Sequence, residues 1–438
     1  MNQQEQVVLT TPKNDRRTIN GWAMFDWANS AFALVITTAI FPGYFNSVTD
    51  DVVTVAGIDM ANSTLYSFAI SGAYLLILLV SPWLSGIADA GGRKMFFLKL
   101  FTTMGAIGCL SLFWFVGMDT LWLGTIGFIV AMIGFAGGLV FYNSYLPDIA
   151  TEDMYDRVSA KGFAYGYVGS VILLAFNLLM ILKPDLFGLS TEKDLHIRIA
   201  FALVSFWWIG FAQYAFKRLP KDQKKGSDKV AAMARQGWHE IRKVWERLKT
   251  QTQLKRFLYS FFFYSMGVQT ILYLASIFAE KELGFETQEL IYIILILQVV
   301  AIGGASLFAR VSDRIGNKIS IIIMLVIWIA ICVMAYFVQG KTSFYLVAAL
   351  VGLVMGGIQS LSRSTYSKLL PTDTEDTTSY FSFYDVLEKA AIVIGTFAFG
   401  QAELVTGNIR NSVLVLGLFF IVSLVLLLRL RMMPAKTK

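Results

Sequence analysis

The segments Asp89-Ala90-Gly91-Gly92-Arg93-Lys94 and Asp313-Arg314-Ile315-Gly316-Asn317-Lys318 each stand between two long apolar runs. Both spell Asp-x-x-Gly-x-Lys, and they lie 224 residues apart (313 minus 89). The repeat marks an internal duplication. In each copy a carboxylate ends one helix, a glycine permits a tight reversal and a base opens the next helix. Charge and helix dipole can therefore tie neighbouring helix ends together. A tie of this kind can be broken and remade as helices rock.

Composition assigns the apolar runs to a membrane. Of 438 residues, 56% are hydrophobic and 15% charged, and mean hydropathy is +0.60. Soluble domains hold roughly 45–50% apolar and about 25% charged residues. A run of about 20 residues crosses about 30 Å of hydrocarbon at 1.5 Å per residue. Such runs predict twelve spans, near 20–46, 64–88, 95–116, 121–146, 160–183, 196–216, 257–279, 288–311, 317–339, 343–364, 379–402 and 410–430. The expected fold is an all-α membrane protein whose twelve transmembrane helices form two pseudo-symmetric six-helix halves. The halves are 20–216 and 257–430, with tails at 1–19 and 431–438 and a linker at 217–256.

Lysine and arginine set the orientation. Most of the 37 fall on segments that share a side with the N-terminus, whereas the opposite loop from Asn46 to Ser63 carries Asp50, Asp51 and Asp59 and no base. By the positive-inside rule both termini are cytoplasmic, in a multi-pass protein of the inner membrane if the source is bacterial. The net charge of +7 is then a topological signal, and no nucleic-acid partner is implied. The first 19 residues are polar, and the first apolar run is too long for a signal peptide, so it stays as span 1.

In the linker, Val230, Met233, Trp238, Ile241, Val244, Trp245 and Leu248 recur at helical spacing among many bases. An amphipathic helix is expected there, on the inner membrane surface or under the bundle, anchored by Trp238 and Trp245 and attracted to anionic lipid. Cys109 and Cys332 sit in spans 3 and 9, and His196 and His239 fall on opposite sides of the membrane. No metal site, cofactor or enzymatic centre is expected, and no phosphate-binding glycine loop or nucleophile elbow occurs.

Polar residues inside the spans carry the functional content, because an ionisable group at depth requires a partner, a watery cavity or a function. Span 1 places Asp26, Asn29 and Ser30 on one face. With an offset of 240 (269 minus 29), Gln269 and Thr270 of span 7 match Asn29 and Ser30, while Met266 stands opposite Asp26. Span 4 ends with Tyr142 and Asn143, and span 10 carries Gln359 and Arg363. In a twofold bundle the first and fourth helices of each half line the central cavity, so these faces converge on a midplane site for a small polar solute, with a proton or sodium as the possible coupling ion. Span 11 adds Asp385, Glu388 and Lys389 at spacings that let them neutralise one another.

The loop motif resembles the turns between spans 2 and 3, and between spans 8 and 9, of the major facilitator superfamily. Longer stretches narrow the resemblance. Trp22-Ala23-Met24-Phe25-Asp26-Trp27-Ala28-Asn29-Ser30-Ala31, Phe141-Tyr142-Asn143 with Leu146-Pro147, Gly162-Phe163-Ala164-Tyr165-Gly166-Tyr167-Val168-Gly169 and Gly357-Ile358-Gln359-Ser360-Leu361-Ser362-Arg363-Ser364 resemble the autophagy-related vacuole effluxers and their bacterial relatives. The resemblance implies a transporter, and amino-acid efflux as the activity of the fungal members. Relatives often carry an acid where Met266 stands, and Ser85 replaces the usual first glycine of the loop motif.

The chain is therefore expected to be a secondary transporter working by alternating access. The alternative is a membrane sensor or scaffold that keeps the fold without transport. Asp26 is the expected coupling carboxylate, and Arg363 is expected to close an inner gate against Asp148 or Asp385 or to hold a substrate carboxylate. The ends of spans 4 and 5 carry Asp148, Asp153 and Asp156, facing Arg363, Lys368 and Lys389 of spans 10 and 11. Asp89, Gly92, Arg93, Lys94, Asp313, Arg314, Gly316 and Lys318 are expected to gate, and Gly162, Gly166 and Gly169 to allow close helix packing.

Overall fold

A computed structural model describes residues 12–55, 57–223, 230–371, 374 and 376–431. Most of both tails' outer residues (1–11 and 432–438), part of the linker (224–229) and the side chains of Val230 and Met233 lie outside this description. Among the described residues eleven helices are long and apolar enough to cross a membrane. Helices 1 to 6 are Arg16–Val48, Asn62–Gly91, Lys94–Trp114, Met118–Ile149, Glu152–Leu182 and Glu192–Arg218. Helices 7 to 10 and helix 12 are Thr252–Leu283, Glu289–Ile315, Asn317–Phe337, Lys341–Leu369 and Ile409–Leu428. Helix 11, Thr377–Thr406, is equally long. It stands apart from that apolar set because Asp385, Glu388, Lys389 and Glu403 lie within it.

Local chemistry explains the helix ends. Asp15 caps helix 1 by accepting hydrogen bonds from the Thr18 amide and hydroxyl, each at 2.8 Å. Helix 2 stops where Gly92 adopts φ 62°, a left-handed conformation that costs glycine little, and the repeated turn uses Gly316 at φ 83°. Helix 1 is not uniform: Phe32–Ile40 winds in π register, and the Thr38 hydroxyl reaches the Ala33 carbonyl five residues back at 2.9 Å. Pro42 follows two residues after this segment and cannot donate to the ladder. In the loop after helix 1 the β-branched run Val52–Val55 pairs antiparallel with Ile58–Ala61, Val52 opposite Ala61, a small two-stranded hairpin beside the helices.

Two apolar cores fill the bundle. One is built by helices 1 to 6 around Trp22, Phe32, Phe41 and Trp208. The other is built by helices 7 to 12 around Phe261, Trp328, Tyr366 and Phe420. They meet where helix 5 packs on helices 8 and 10, and where helix 11 packs on helices 2 and 4. The linker helix Val230–Thr250 lies under helix 2, burying Ile241, Val244 and Leu248, while Trp238 remains 65% exposed. Both described chain ends emerge on this face of the bundle, opposite the hairpin. Asn14 donates to Thr151 in the turn between helices 4 and 5 at 2.7 Å, and the Arg431 amide donates to Gln253 at the start of helix 7 at 2.8 Å.

Candidate functional site

A buried ionic network joins the two halves. Arg363 stands about 9 Å from the end of helix 10, and Asp26 about 15 Å from the start of helix 1, at 1.5 Å per residue. The Arg363 Nη1 and Asp26 Oδ2 are 3.4 Å apart, with side chains only 3% and 6% exposed. Tyr142 donates its hydroxyl proton to the same Oδ2 at 2.6 Å. Arg363 also donates through Nη1 to Asn143 Oδ1 at 3.0 Å, through Nε to Ser159 Oγ at 2.9 Å and through Nη2 to the Ser159 carbonyl at 2.9 Å. Its guanidinium lies 4.5 Å from the Trp22 ring centre and 4.2 Å from that of Phe163.

Small residues make this approach possible. A Cβ on Gly162 would fall 2.6 Å from Asp26 Oδ2, 2.8 Å from Trp22 and 3.0 Å from Arg363 Nη2. Gly166 leaves room for Ser30 and Gly169 for Trp27 in the same way, so helix 5 lies directly on helix 1. Trp22 stacks on Tyr142 and donates to the Tyr142 carbonyl at 3.0 Å, which fixes helix 4 against helix 1.

The expected pairing of Arg363 with Asp148 or Asp385 is therefore replaced by pairing with Asp26. Asp148 is taken by Lys94 of its own half at 2.6 Å, and Asp385 by Lys389 one turn along helix 11 at 2.9 Å. Of the other sequence candidates, Gln359 accepts from Tyr167 at 2.6 Å and so adds a further contact between helices 10 and 5. Gln269 donates to Glu388 at 3.0 Å, away from Arg363. Asn29 Oδ1 and Thr270 Oγ1 are buried and find no hydrogen-bond partner among the described residues. Ser159 was not singled out from sequence, because an isolated serine in an apolar helix carries no signal of what it will accept.

Toward the termini face a second layer of polar ties spans the halves. Asp89 accepts from the Thr378 and Ser379 amides at 3.3 and 2.7 Å, which places a carboxylate on the first turn of helix 11. Lys94 bonds Thr377 at 2.8 Å as well as Asp148. In the second copy Asp313 pairs with Arg157 of helix 5 at 2.8 Å, Arg314 is exposed, and Lys318 donates to the Leu428 and Leu430 carbonyls at the end of helix 12. Asp156 of helix 5 meets Lys368 at 2.7 Å and also accepts from Ser312 and Asn317. Arg363–Asp26, Lys368–Asp156 and Arg157–Asp313 are ion pairs that join the halves. All lie toward the termini side. By contrast Lys341–Glu289, Arg410–Glu282 and Lys281–Glu403, toward the hairpin side, stay within helices 7 to 12.

The linker helix adds further contacts on this side. Asp376, just before helix 11, is 3.0 Å from Lys243 and 3.3 Å from Arg247, and Trp245 stacks on Phe383. A hydrogen bond from Lys243 to Glu240, helped by Asp376, holds the ammonium pKa above its ordinary value. An apolar cavity of about 60 Å³ lies among Phe278, Ile331, Phe344 and Phe399. It is apolar and remote from the charged network, so it does not suit a polar solute.

Residues 14–438 match the family described as vacuole effluxer Atg22 like. The chain is 29% identical over 409 residues to the uncharacterized MFS-type transporter YxiO of Bacillus subtilis (strain 168), with 93% of each chain covered. It is 26% identical over 472 residues to autophagy-related protein 22 of Kluyveromyces lactis, covering 94% of this chain and 93% of that one. Among solved structures it is similar to FucP in the outward conformation, with a TM-score of 0.68, 15% identity and coverage of 95% and 100%. It is likewise similar to the human organic anion transporter MFSD10, with a TM-score of 0.69, 13% identity and the same coverage. Both likenesses show the major facilitator fold.

Proposed function

Because this chain belongs to the vacuole effluxer Atg22-like branch of major facilitator transporters, we propose that it moves a small polar, amino acid-like solute by ion-coupled alternating access. The observation that carries this reading is the buried Arg363–Asp26 contact between helices 10 and 1. A buried ion pair gains about as much from attraction as it loses in desolvation, so it is a poor source of stability. The same balance makes it a good switch. When the halves separate on the termini side, water can replace each partner at little net cost, and the contact can re-form on closing.

In this mechanism 20–216 and 257–430 rock as two bodies with the termini in the cytoplasm. The closed termini face then corresponds to an outward-facing arrangement. Asp26, Tyr142, Asn143, Gln359 and Arg363 form the inner lock below the solute path, and Asn29, Ser30, Gln269 and Thr270 offer polar groups to the solute. Their unpartnered Asn29 Oδ1 and Thr270 Oγ1 support a site that a polar ligand or water satisfies. The basic linker helix contributes an anionic-lipid contact at the inner surface.

The test is a melt screen of the purified protein against amino acids, peptides, nucleosides and sugars. A solute that binds the folded state stabilises it by about 2.7 kcal/mol at a hundred times its Kd. Stabilisation by amino acids, and its loss in Asn29→Ala or Thr270→Val, supports the reading. A protein that no class stabilises is not a transporter of small polar solutes.

A further inference from the structure

The second buried charge cluster, on helix 11, is not balanced. Lys389 Nζ lies 2.9 Å from Asp385 Oδ1 and 3.2 Å from Glu388 Oε2. Two acids thus share one base. Asp26 and Arg363, by comparison, match one to one. Asp385 and Lys389 are 2% and 3% exposed, about 12 and 18 Å along helix 11 at 1.5 Å per residue. The second carboxylate oxygen of Asp385 is buried and has no hydrogen-bond partner among the described residues.

Among the described residues, Lys389 is the base that pairs with Asp385 and Glu388. Helix 7 contributes Gln269, which donates to Glu388 at 3.0 Å, together with Tyr264 and Tyr273. Helix 2 contributes Tyr74, whose ring faces Lys389 and whose hydroxyl is 2.9 Å from that of Tyr273. Helix 11 itself adds Tyr384, and the guanidinium of Arg363 on helix 10 is engaged by Asp26. Tyrosine is neutral until about pH 10. With both acids ionised, the cluster would hold one uncompensated negative charge inside the bundle, which is costly.

We propose that Asp385, Glu388 and Lys389 bind one exchangeable proton, shared between the two carboxylates, and that this proton is the coupling ion. The coupling part rests on the transporter reading above. A proton suits the site better than sodium, because a hard cation needs several oxygen ligands and the Lys389 ammonium already stands between the two acids. Protonation adds a hydrogen to a carboxylate oxygen and removes the excess charge without a further partner. Glu388, 24% exposed, supplies the route by which the proton reaches Asp385. The adjoining Tyr74–Tyr273 contact joins helix 2 to helix 7, so occupancy of the site bears on a contact between the halves.

Infrared difference spectroscopy on the full chain in lipid nanodiscs tests the site directly. Near neutral pH the wild type should show the carbonyl stretch of a protonated carboxylic acid, and Asp26→Asn should keep it. Either Glu388→Gln or Asp385→Asn should remove it, since each leaves one acid facing one base. Lys389→Met should strengthen it. The same band in wild type, Glu388→Gln and Asp385→Asn overturns the proposal, as does its loss in Asp26→Asn alone.

In proteoliposomes holding a pH dye, a mixture of the common amino acids should move protons with wild type and with neither cluster variant. Proton movement retained in both variants overturns the coupling assignment. The spectrum requires no solute, so the band can stand when the melt screen fails, and the screen can succeed without the band.

Discussion

Gly86 of helix 2 and Gly237 of the linker helix cross in contact: a Cβ on Gly86 would lie 2.2 Å from the Gly237 carbonyl oxygen, and one on Gly237 2.7 Å from the Ile87 amide. This crossing is what the loop motif's departure at Ser85 leaves intact. Ser85 is fully buried and donates to the Pro82 carbonyl at 2.7 Å, while the neighbouring glycine receives the linker. The linker is thereby a structural part of the closed termini face.

Gly237→Val should detach the linker helix, because the obstruction is backbone and cannot rotate away. Overpacking of this kind costs about 1–3 kcal/mol. Amide hydrogen exchange across 238–250 should rise while exchange in helices 1 to 6 stays unchanged. Unaltered exchange in the linker would show that the crossing does not hold it.

Arg363→Ala should open the termini side. Removing one member of a buried pair costs about 3–5 kcal/mol, chiefly from the charge left behind. Here that charge is Asp26, and the closed state bears the penalty because an open mouth would hydrate it. The Ser144 and Thr378 hydroxyls sit 3.5 Å apart across the halves. Cysteines at these two positions should cross-link less in Arg363→Ala than in the parent, with Cys109 and Cys332 buried elsewhere. Adding Asp26→Asn should restore part of the yield, and strict additivity of the two effects would deny the coupling.

The helices, the repeated turns and the amphipathic linker were legible because hydropathy, glycine chemistry and helical spacing act over short stretches of chain. The partner of Arg363 was not. Asp26 lies 337 residues away, and two acids nearer in sequence compete for it on paper. Only packing reveals that Lys94 and Lys389 have already claimed those acids. The π segment of helix 1 was hidden for a related reason, since Phe32–Ile40 has the composition of any apolar helix. Asp376 was missed because a loop acid before a helix suggests only a cap, whereas here it binds the linker bases.

Lys243 makes the linker attachment sensitive to alkali. Its pKa is raised by Glu240 and Asp376, so its stabilising contribution is complete below the ordinary lysine value of about 10.4 and is lost as pH rises through the higher folded value. Trypsin cleavage at Lys243 and Arg247 should therefore stay flat from neutrality to about pH 9 as far as this contact is concerned. The protection of the linker amides, with base-catalysed intrinsic exchange divided out, should then fall above about pH 10.5 in wild type. Lys243→Met should exchange faster at neutral pH and lose the alkaline step. An alkaline step of the same size in that variant would assign it to another group.

The two copies of the repeated turn should respond unequally to the same substitution. Asp89 is half-buried against the first turn of helix 11, where two amides donate to it, whereas Asp313 is an exposed residue paired with an exposed Arg157. A carboxylate that satisfies helix N-terminal amides is worth about 0.5–2 kcal/mol. A surface ion pair contributes about 0–1 kcal/mol and is screened by salt. Asp89→Ala should thus lower the melting temperature more than Asp313→Ala, and its effect should persist in high salt while that of Asp313→Ala fades. It should also lower cross-linking between cysteines at Ser144 and Thr378, since the helix 11 start is no longer held to helix 2. Equal losses from the two substitutions, or a salt-sensitive loss from Asp89→Ala, would mean that the first turn works as a surface ion pair like the second.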